Sequence, residues 1–275
     1  MKEVIVRPCA KINLGLNIVS KRSDGYHNLE TVFYPIGIFD EIRISQPTAD
    51  QQYPCEVEVK GIKIDGDVRQ NILVKAYDLV AKTHKLPNIN VVLTKNIPVQ
   101  AGLGGGSSDC AFMIKALNDI FDLGISVMEM ENMASNLGAD CAFFINPQPK
   151  FAEGIGDKFS PLELDLSTYS IVVVKPPVNI GTKEAFSHIT PKAPKACCKD
   201  IVRQPVCTWK DCLVNDFELS IIPQHPEIAE IKRQMYAHGA SYSAMSGSGS
   251  AVFGIFPSVP KGIESEFKNC LVHVI

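Results

Sequence analysis

The chain has 275 residues, 45% of them hydrophobic and 21% charged, which supplies enough apolar material for a folded core and excludes intrinsic disorder. Its 27 basic and 30 acidic side chains leave a net charge of −3, which argues against a duplex nucleic-acid binder working through a strongly basic face. No segment repeats and none is of low complexity, so collagen-like and solenoid architectures are excluded too.

The N-terminal residues, Met1 to Pro8, lack the long apolar stretch of a signal peptide, and no run approaches the roughly 20 apolar residues of a spanning helix. The expectation is a soluble, cytoplasmic protein that engages no membrane and no nucleic acid. Nine cysteines, an odd number, sit mostly in apolar stretches around Cys9, Cys110, Cys141 and Cys270, so they read as free thiols. Cys197, Cys198, Cys207 and Cys212 lack paired C-x2-C spacing and a close His, and read as small residues of a loop rather than a metal site.

From Cys9 to Val19 apolar residues alternate with Lys11, Asn13, Gly15 and Asn17. Period two predicts a strand with one buried face, and by itself this segment places Lys11 and Asn13 on an ordinary solvated face. Asp24-Gly25 marks the turn that follows. Strands are expected at Phe33 to Ile38, Glu41 to Ser45, Cys55 to Val59 and Ile89 to Thr94, with a helix from Ile72 to Lys82. A glycine-rich segment, Gly102-Leu103-Gly104-Gly105-Gly106-Ser107-Ser108, then opens an apolar helix that runs through Phe121. Ser126 and Glu129 form a capping-box pair for the next helix, with Met130, Met133, Ala134 and Leu137 inward and Gly138 as its stop. Asp140 therefore stands just past a helix end and leads into the apolar run Cys141 to Ile145, which predicts a semi-buried carboxylate.

The Gly- and Pro-rich stretch between Asn146 and Pro161 reads as a domain boundary, dividing the chain into 1–155 and 156–275. Beyond it a strand (Ser170 to Lys175), a helix (Lys183 to His188) and a Lys/Pro/Cys-rich connector are expected. Helices near Val214 to Ile222 and Pro226 to His238 follow, then two strands flanking Ser246 to Ser250, a helix (Lys261 to Lys268) and a strand (Leu271 to Ile275). Without the inserted helices this is β-α-β-β-α-β, the ferredoxin-like order, and the whole reads as a two-domain α+β protein.

Four glycines in five positions exceed what a turn needs, and with Ser107 and Ser108 at a helix start they let backbone N–H groups and the positive helix end approach a phosphate. Walker A needs Lys after its last Gly, and a dinucleotide fingerprint starting at Gly102 needs Gly at position 107; Ser107 fails both. The second cluster, Met245 to Ser250, reads by itself as a hairpin turn. Asp140 could be a local backbone acceptor, His27 a turn residue and Tyr26 a core aromatic.

Taken together, Pro8-Cys9-Ala10-Lys11-Ile12-Asn13-Leu14, Asp24-Gly25-Tyr26-His27, Pro98 through Asp109 and Met245-Ser246-Gly247-Ser248-Gly249 resemble, in order and spacing, the GHMP kinase superfamily. The Ala-Lys-Ile-Asn-Leu strand with Asp-Gly-Tyr-His resembles its branch acting on a cytidine diphosphate-linked acceptor. The resemblance implies a two-domain fold, N-terminal ribosomal protein S5 domain 2-like and C-terminal ferredoxin-like. It also implies ATP-dependent phosphorylation, with Mg2+, of the 2-hydroxyl of 4-diphosphocytidyl-2-C-methyl-D-erythritol in the non-mevalonate isoprenoid route. On that footing Asp140 and Lys11 are the catalytic pair. Gly102, Leu103, Gly104, Gly105, Gly106, Ser107 and Ser108 hold the ATP phosphates, with Ser107 or Ser108 near Mg2+. Asn71 and Lys95 line the nucleotide pocket, Tyr26, His27 and Phe186 the cytidine pocket, and Asn13 lies beside the reacting hydroxyl.

Two competing readings are a mevalonate, homoserine or galactose kinase of the same superfamily, and a non-catalytic RNA-binding or ligand-sensing relative. An aliphatic or sugar acceptor has no use for the base-stacking rings, and a non-catalytic relative has none for Lys11, Asp140 and both glycine clusters.

Overall fold

The computed structural model describes residues 3–47, 50–187 and 189–275. The first half of the chain holds strands β1 (Val4–Val6), β2 (Cys9–Lys21), β3 (His27–Phe39), β4 (Glu41–Ser45), β5 (Cys55–Gly61) and β6 (Ile89–Lys95), with helices α1 (Ile72–Ala81), α2 (Gly105–Phe121) and α3 (Val127–Ser135). Strands β7 (Lys150–Glu153), β8 (Lys158–Pro161) and β9 (Ser170–Lys175) follow, then α4 (Thr182–Phe186), α5 (Cys198–Ile201), α6 (Phe217–Ile221) and α7 (Pro226–Ala237). Strands β10 (Tyr242–Met245), β11 (Val252–Phe256) and β12 (Leu271–Val274) end the chain.

Two compact units emerge, and they interleave in sequence. One comprises Met1–Ala10, Gly37–Val99 and Gly104–Pro147; the other comprises Lys11–Ile36, Gln100–Leu103 and Gln148–Ile275. A single division at 155/156 therefore does not describe them. The stretch Asn146 to Pro161, expected to be a boundary, carries the β7–β8 hairpin instead, and β7 pairs antiparallel with β3. Pairing of early and late strands in one sheet, in the order β2-β3-β7-β8, is what draws Lys11–Ile36 into the second unit.

In the first unit the sheet order is β1-β4-β6-β5, with β5 and β6 parallel and the other pairs antiparallel. Burial alternates along β4 and β6 as period two requires, with Ile42, Ile44, Val91 and Leu93 inside. Helix α1 turns Leu73, Ala76, Tyr77 and Val80 inward, and α2 buries Cys110, Ala111, Ile114 and Leu117. The capping box of α3 is present in both directions, Ser126 accepting from the Glu129 backbone and Glu129 accepting from Ser126. Its buried side chains are Met130 and Ala134; Met133 and Leu137 are half-buried, because the helix ends at Ser135, before the expected Gly138.

In the second unit β9, β10, β11 and β12 form an all-antiparallel sheet ordered β10-β11-β9-β12, which is the ferredoxin-like arrangement. Leu16 and Ile18 of β2 pack into its core with Val172, Val174, Phe217 and Ile221. The solvated face expected for β2 is absent, since Lys11 is 3% and Asn13 2% exposed. Its backbone is engaged by distant segments, Lys11 N–H donating to the Leu103 carbonyl and Leu16 N–H to the Val214 carbonyl.

Three expected helices shrink. Lys261 to Lys268 holds a single 3-10 turn at Ile263–Glu266, entered through Gly262 in the left-handed region at φ +76°. Helix α4 ends at Phe186; His188, its expected end, lies outside the described residues. Helix α6 starts only at Phe217, because Val214 to Asp216 runs beside β2. The connector carries α5 and a 3-10 turn at Val206–Asp211 that buries Trp209. All nine cysteines are free, and no helix among the described residues is long and apolar enough to cross a membrane.

The capping box generates a stability prediction. Ser126→Ala removes the side-chain oxygen that accepts from Glu129 N–H, leaving the Ser126 backbone N–H bonded to Glu129, and should cost about 1 kcal/mol, read as a lower midpoint of guanidinium unfolding followed by circular dichroism; an unchanged midpoint means the side-chain cap adds nothing.

Candidate active site

Lys11 cannot be buried as a cation unless its ammonium is hydrogen-bonded. Its Nζ donates to Asn13 Oδ1 at 2.6 Å and to the Gly102 carbonyl at 2.9 Å, and stands 4.9 Å above the centroid of the Phe33 ring. Asn13 passes the chain on: its Nδ2 donates to Thr31 Oγ1 at 2.9 Å, and that hydroxyl donates to the Gly15 carbonyl at 2.6 Å. The amide orientation of Asn13 is thereby set, with its oxygen toward the cation. Thr31 has no signal in the sequence, where the strand is expected to begin only at Phe33, and it enters the network because β3 starts at His27.

Gly102 accepts a second bond from Ser246 Oγ at 2.9 Å. It sits at φ +74°, and a Cβ there would lie 1.9 Å from the Ser246 carbonyl oxygen, so no other residue fits. The Met245 to Ser250 cluster is the β10–β11 hairpin, as its composition indicates, and it is also the partner of the first glycine segment. Ala251 N–H reinforces this by donating to the Ala101 carbonyl at 3.1 Å.

In the first unit, Gly104 is the N-cap of α2 at φ +72° and offers no side-chain oxygen to the helix. The first-turn N–H groups that a side chain would otherwise cap stay available to an external acceptor. Gly106 is exposed with open space where its Cβ would be. A Cβ on Gly105 would meet Ile97 Cγ2 at 2.9 Å and Lys95 Nζ at 3.0 Å, so close packing against the end of β6 is what requires glycine there.

Lys95 is 2% exposed and its ammonium is committed to two buried carboxylates, Asp40 and, at 2.9 Å, Asp109. Asp40 also accepts from the backbone N–H of Asn96 at 2.6 Å and of Ile97 at 2.9 Å. One cation therefore serves two carboxylates. The Asp109 carboxyl is pushed up to about 7, by burial first and by the Asp40 carboxylate, against the opposing pull of Lys95. Asp109 Oδ1 and the neighbouring Ser108 Oγ are buried with no hydrogen-bond partner among the described residues.

Asp140 caps the 3-10 turn Cys141–Ile145 and is half-buried, as expected. The turn before it lies against the start of α2: a Cβ on Gly138 would be 3.0 Å from Cys141 Sγ and 4.0 Å from Ser107 Oγ. Asn71 is the N-cap of α1, its side chain accepting from Leu73 N–H at 2.9 Å.

Tyr26 is 62% exposed, at the end of a turn tied by Arg22 and Asp24. The ring against Phe186 is that of His27, stacked at 4.8 Å and 18°. Phe186 also meets Phe217 edge-on at 4.8 Å and 88°. The structure thus brings His27 and Phe186 together and leaves Tyr26 outside the pair.

The shared lysine generates a pH prediction. A carboxyl whose folded pKa is raised makes the folded state bind the extra proton, so its contribution to stability falls as pH rises from about 4 to about 7 and is flat above. Asp109→Asn removes that dependence. Its unfolding free energy relative to the parent should rise across this window, measured by urea titrations at pH 5, 6, 7 and 8; a difference independent of pH contradicts the raised carboxyl.

Similarity to known proteins completes the description. Residues 71–147 match the model for the GHMP kinases N terminal domain, and 208–272 that for GHMP kinases C terminal. The chain is 50% identical over 265 residues to 4-diphosphocytidyl-2-C-methyl-D-erythritol kinase of Bacteroides fragilis, covering 96% of each chain. It is 51% identical over 254 residues to that of Bacteroides thetaiotaomicron, covering 92% of each. Its fold superposes on a crystal structure of 4-(cytidine 5'-diphospho)-2C-methyl-D-erythritol kinase with a TM-score of 0.79, 26% identity and 98% coverage of both chains. The α+β architecture is the two-domain GHMP kinase fold, and the chain belongs to the 4-diphosphocytidyl-2-C-methyl-D-erythritol kinase family of GHMP kinases.

Proposed function

We infer that this chain transfers the terminal phosphoryl group of ATP to the 2-hydroxyl of 4-diphosphocytidyl-2-C-methyl-D-erythritol, in the cytoplasm. Family membership supports the reaction, and the single structural observation behind it is the buried Lys11–Asn13–Gly102 network. Phosphoryl transfer needs chiefly position and charge neutralisation. Asp140 orients the acceptor hydroxyl and takes its proton as the oxygen bonds to the γ-phosphorus; the β–γ bridging bond breaks and ADP departs. Lys11 places positive charge beside the transferring group, and Asn13 holds the acceptor oxygen.

Gly102, Leu103, Gly104, Gly105, Gly106, Ser107 and Ser108 offer backbone N–H groups to the ATP phosphates, with Asn71 and Lys95 on the nucleotide side. Lys95 serves there as the buried wall behind Gly105. His27 and Phe186 receive the cytosine, and Tyr26 flanks them from its exposed turn. Magnesium would be held at the start of α2, by Ser108 Oγ and Asp109 Oδ1, which lack hydrogen-bond partners among the described residues. The described residues hold no group of three or more metal-ligating side chains, and such a sparse donor set suits an ion bound largely through phosphate oxygens and water. When bound, the ion neutralises phosphate charge.

Incubating the protein with ATP, Mg2+ and the cytidine substrate, beside mevalonate and homoserine controls, tests the acceptor. ADP release is expected with the cytidine substrate alone, and turnover of either control without it overturns the reading. Asp140→Asn should lower kcat by roughly 10²–10⁴ with a smaller change in KM. Phe186→Ala should raise KM for the cytidine substrate by roughly tenfold, the equivalent of about 1.4 kcal/mol of lost stacking, while KM for ATP stays put. A KM change confined to ATP would place Phe186 in the nucleotide pocket.

A further inference from the structure

The segment Asn215-Asp216-Phe217-Glu218 supplies no group to the chemistry above, yet its four side chains reach four different parts of the second unit. Asn215, 2% exposed, donates through Nδ2 to the carbonyls of Met245 at 2.7 Å and Gly247 at 2.8 Å, and its Oδ1 accepts from Phe217 N–H at 3.0 Å. Asp216 Oδ2 accepts from Ile18 N–H at 2.8 Å, on the strand that carries Lys11 and Asn13. The backbone clasps the same strand, Leu16 N–H donating to Val214 and Asp216 N–H donating to Leu16. Glu218 accepts from Met245 N–H at 2.7 Å and pairs with Lys232. Phe217 is buried and meets Phe186 edge-on.

A buried Asn and Asp in consecutive positions are costly unless fully bonded, and here most of their bonds go to the backbone of other elements, the exception being Phe217 N–H, which donates to Asn215 Oδ1. The Met245–Gly249 loop that Asn215 grips is the one whose Ser246 hydroxyl donates to the Gly102 carbonyl, an acceptor of the Lys11 ammonium. The ring behind them backs Phe186, which faces His27.

We propose that Asn215, Asp216, Phe217 and Glu218 form a positioning segment for the acceptor side of the reaction, Phe217 aligning Phe186 for the cytidine end and Asn215 aligning the Met245–Gly249 loop and, through Ser246, Gly102 and Lys11. This rests on the reading that Phe186 and Lys11 serve the acceptor. A residue that acts through another loses its effect when that other is removed, which a merely structural residue does not.

Two double-mutant cycles decide it, with unfolding midpoints recorded for every variant. In the first, Phe217→Leu should raise KM for the cytidine substrate about fivefold, within the range of coupling between touching residues. ATP KM should be unmoved, and Phe217→Leu should add nothing in a Phe186→Ala background. In the second, Asn215→Ala should lower kcat by roughly 10- to 100-fold, the scale of a small misplacement of reacting groups, and most of that loss should vanish in a Ser246→Ala background. Asn215→Ser, which keeps a donor, replaces the Ala variant if the latter does not fold. Multiplicative effects in either cycle, or no effect of the single variant, overturn the assignment of that residue. If Phe186→Ala itself leaves the cytidine KM unchanged, the acceptor reading fails rather than the positioning role alone.

Discussion

A lysine ammonium held away from water on a strand buried along both faces is the constraint around which the second unit is organised. Asn13 and the Gly102 carbonyl accept from the Lys11 ammonium and help make its burial tolerable. Each of these acceptors is fixed in turn, Asn13 by Thr31 and the Gly102 carbonyl by Ser246. A donor chain of this kind leaves little freedom to any member, since shifting one would expose an unpaired charge or amide at a cost of several kcal/mol. The same rigidity is what phosphoryl transfer needs, because the chemistry depends on charge being already in place when the group moves.

The first unit solves a parallel problem with the opposite balance. Lys95 is shared between Asp40 and Asp109, so negative charge exceeds positive, and the Asp109 carboxyl is raised, by burial above all and by Asp40 beside it, against the pull of Lys95. Asp40 spends its other oxygen on the backbone after β6, and Asp109 belongs to the first turns of α2. The ion triad therefore ties the end of a strand to the start of the helix whose glycines are free of side-chain caps. Close packing of Gly105 on Lys95 and Ile97 makes the position of that helix start a consequence of the buried charges rather than of local propensity.

The aromatic cluster of the second unit follows a different physics. His27 and Phe186 stack, and Phe217 supports the second ring edge-on, an arrangement favoured by ring quadrupoles. Helix α4, which carries Phe186, is only five residues long and could not hold a ring in place by itself. Its fixation comes from the ferredoxin-like core and from the Ser220 hydroxyl, which donates to the Ala185 carbonyl at 2.7 Å.

Much of this was legible in the chain. Period-two alternation identified β2, the Ser126–Glu129 pair marked the start of α3, and the glycine run marked the start of α2, because each is a contest among neighbours in sequence. The order of elements in the second half was enough for the ferredoxin-like sheet, and Asp140 was placed correctly past a helix end. What only the tertiary structure decided was which polar residues are buried and what satisfies them. Lys11 takes a carbonyl 91 residues away, and Ile18 donates to a carboxylate 198 residues away, so no local pattern could show that the second face of β2 is covered. The choice of His27 over Tyr26 as the partner of Phe186, the commitment of Lys95 to two carboxylates and the grip of Asn215 on the second glycine loop are of the same kind. Periodicity reports the faces a segment has, whereas the partner that covers each face is set by the packing of segments far apart in the chain.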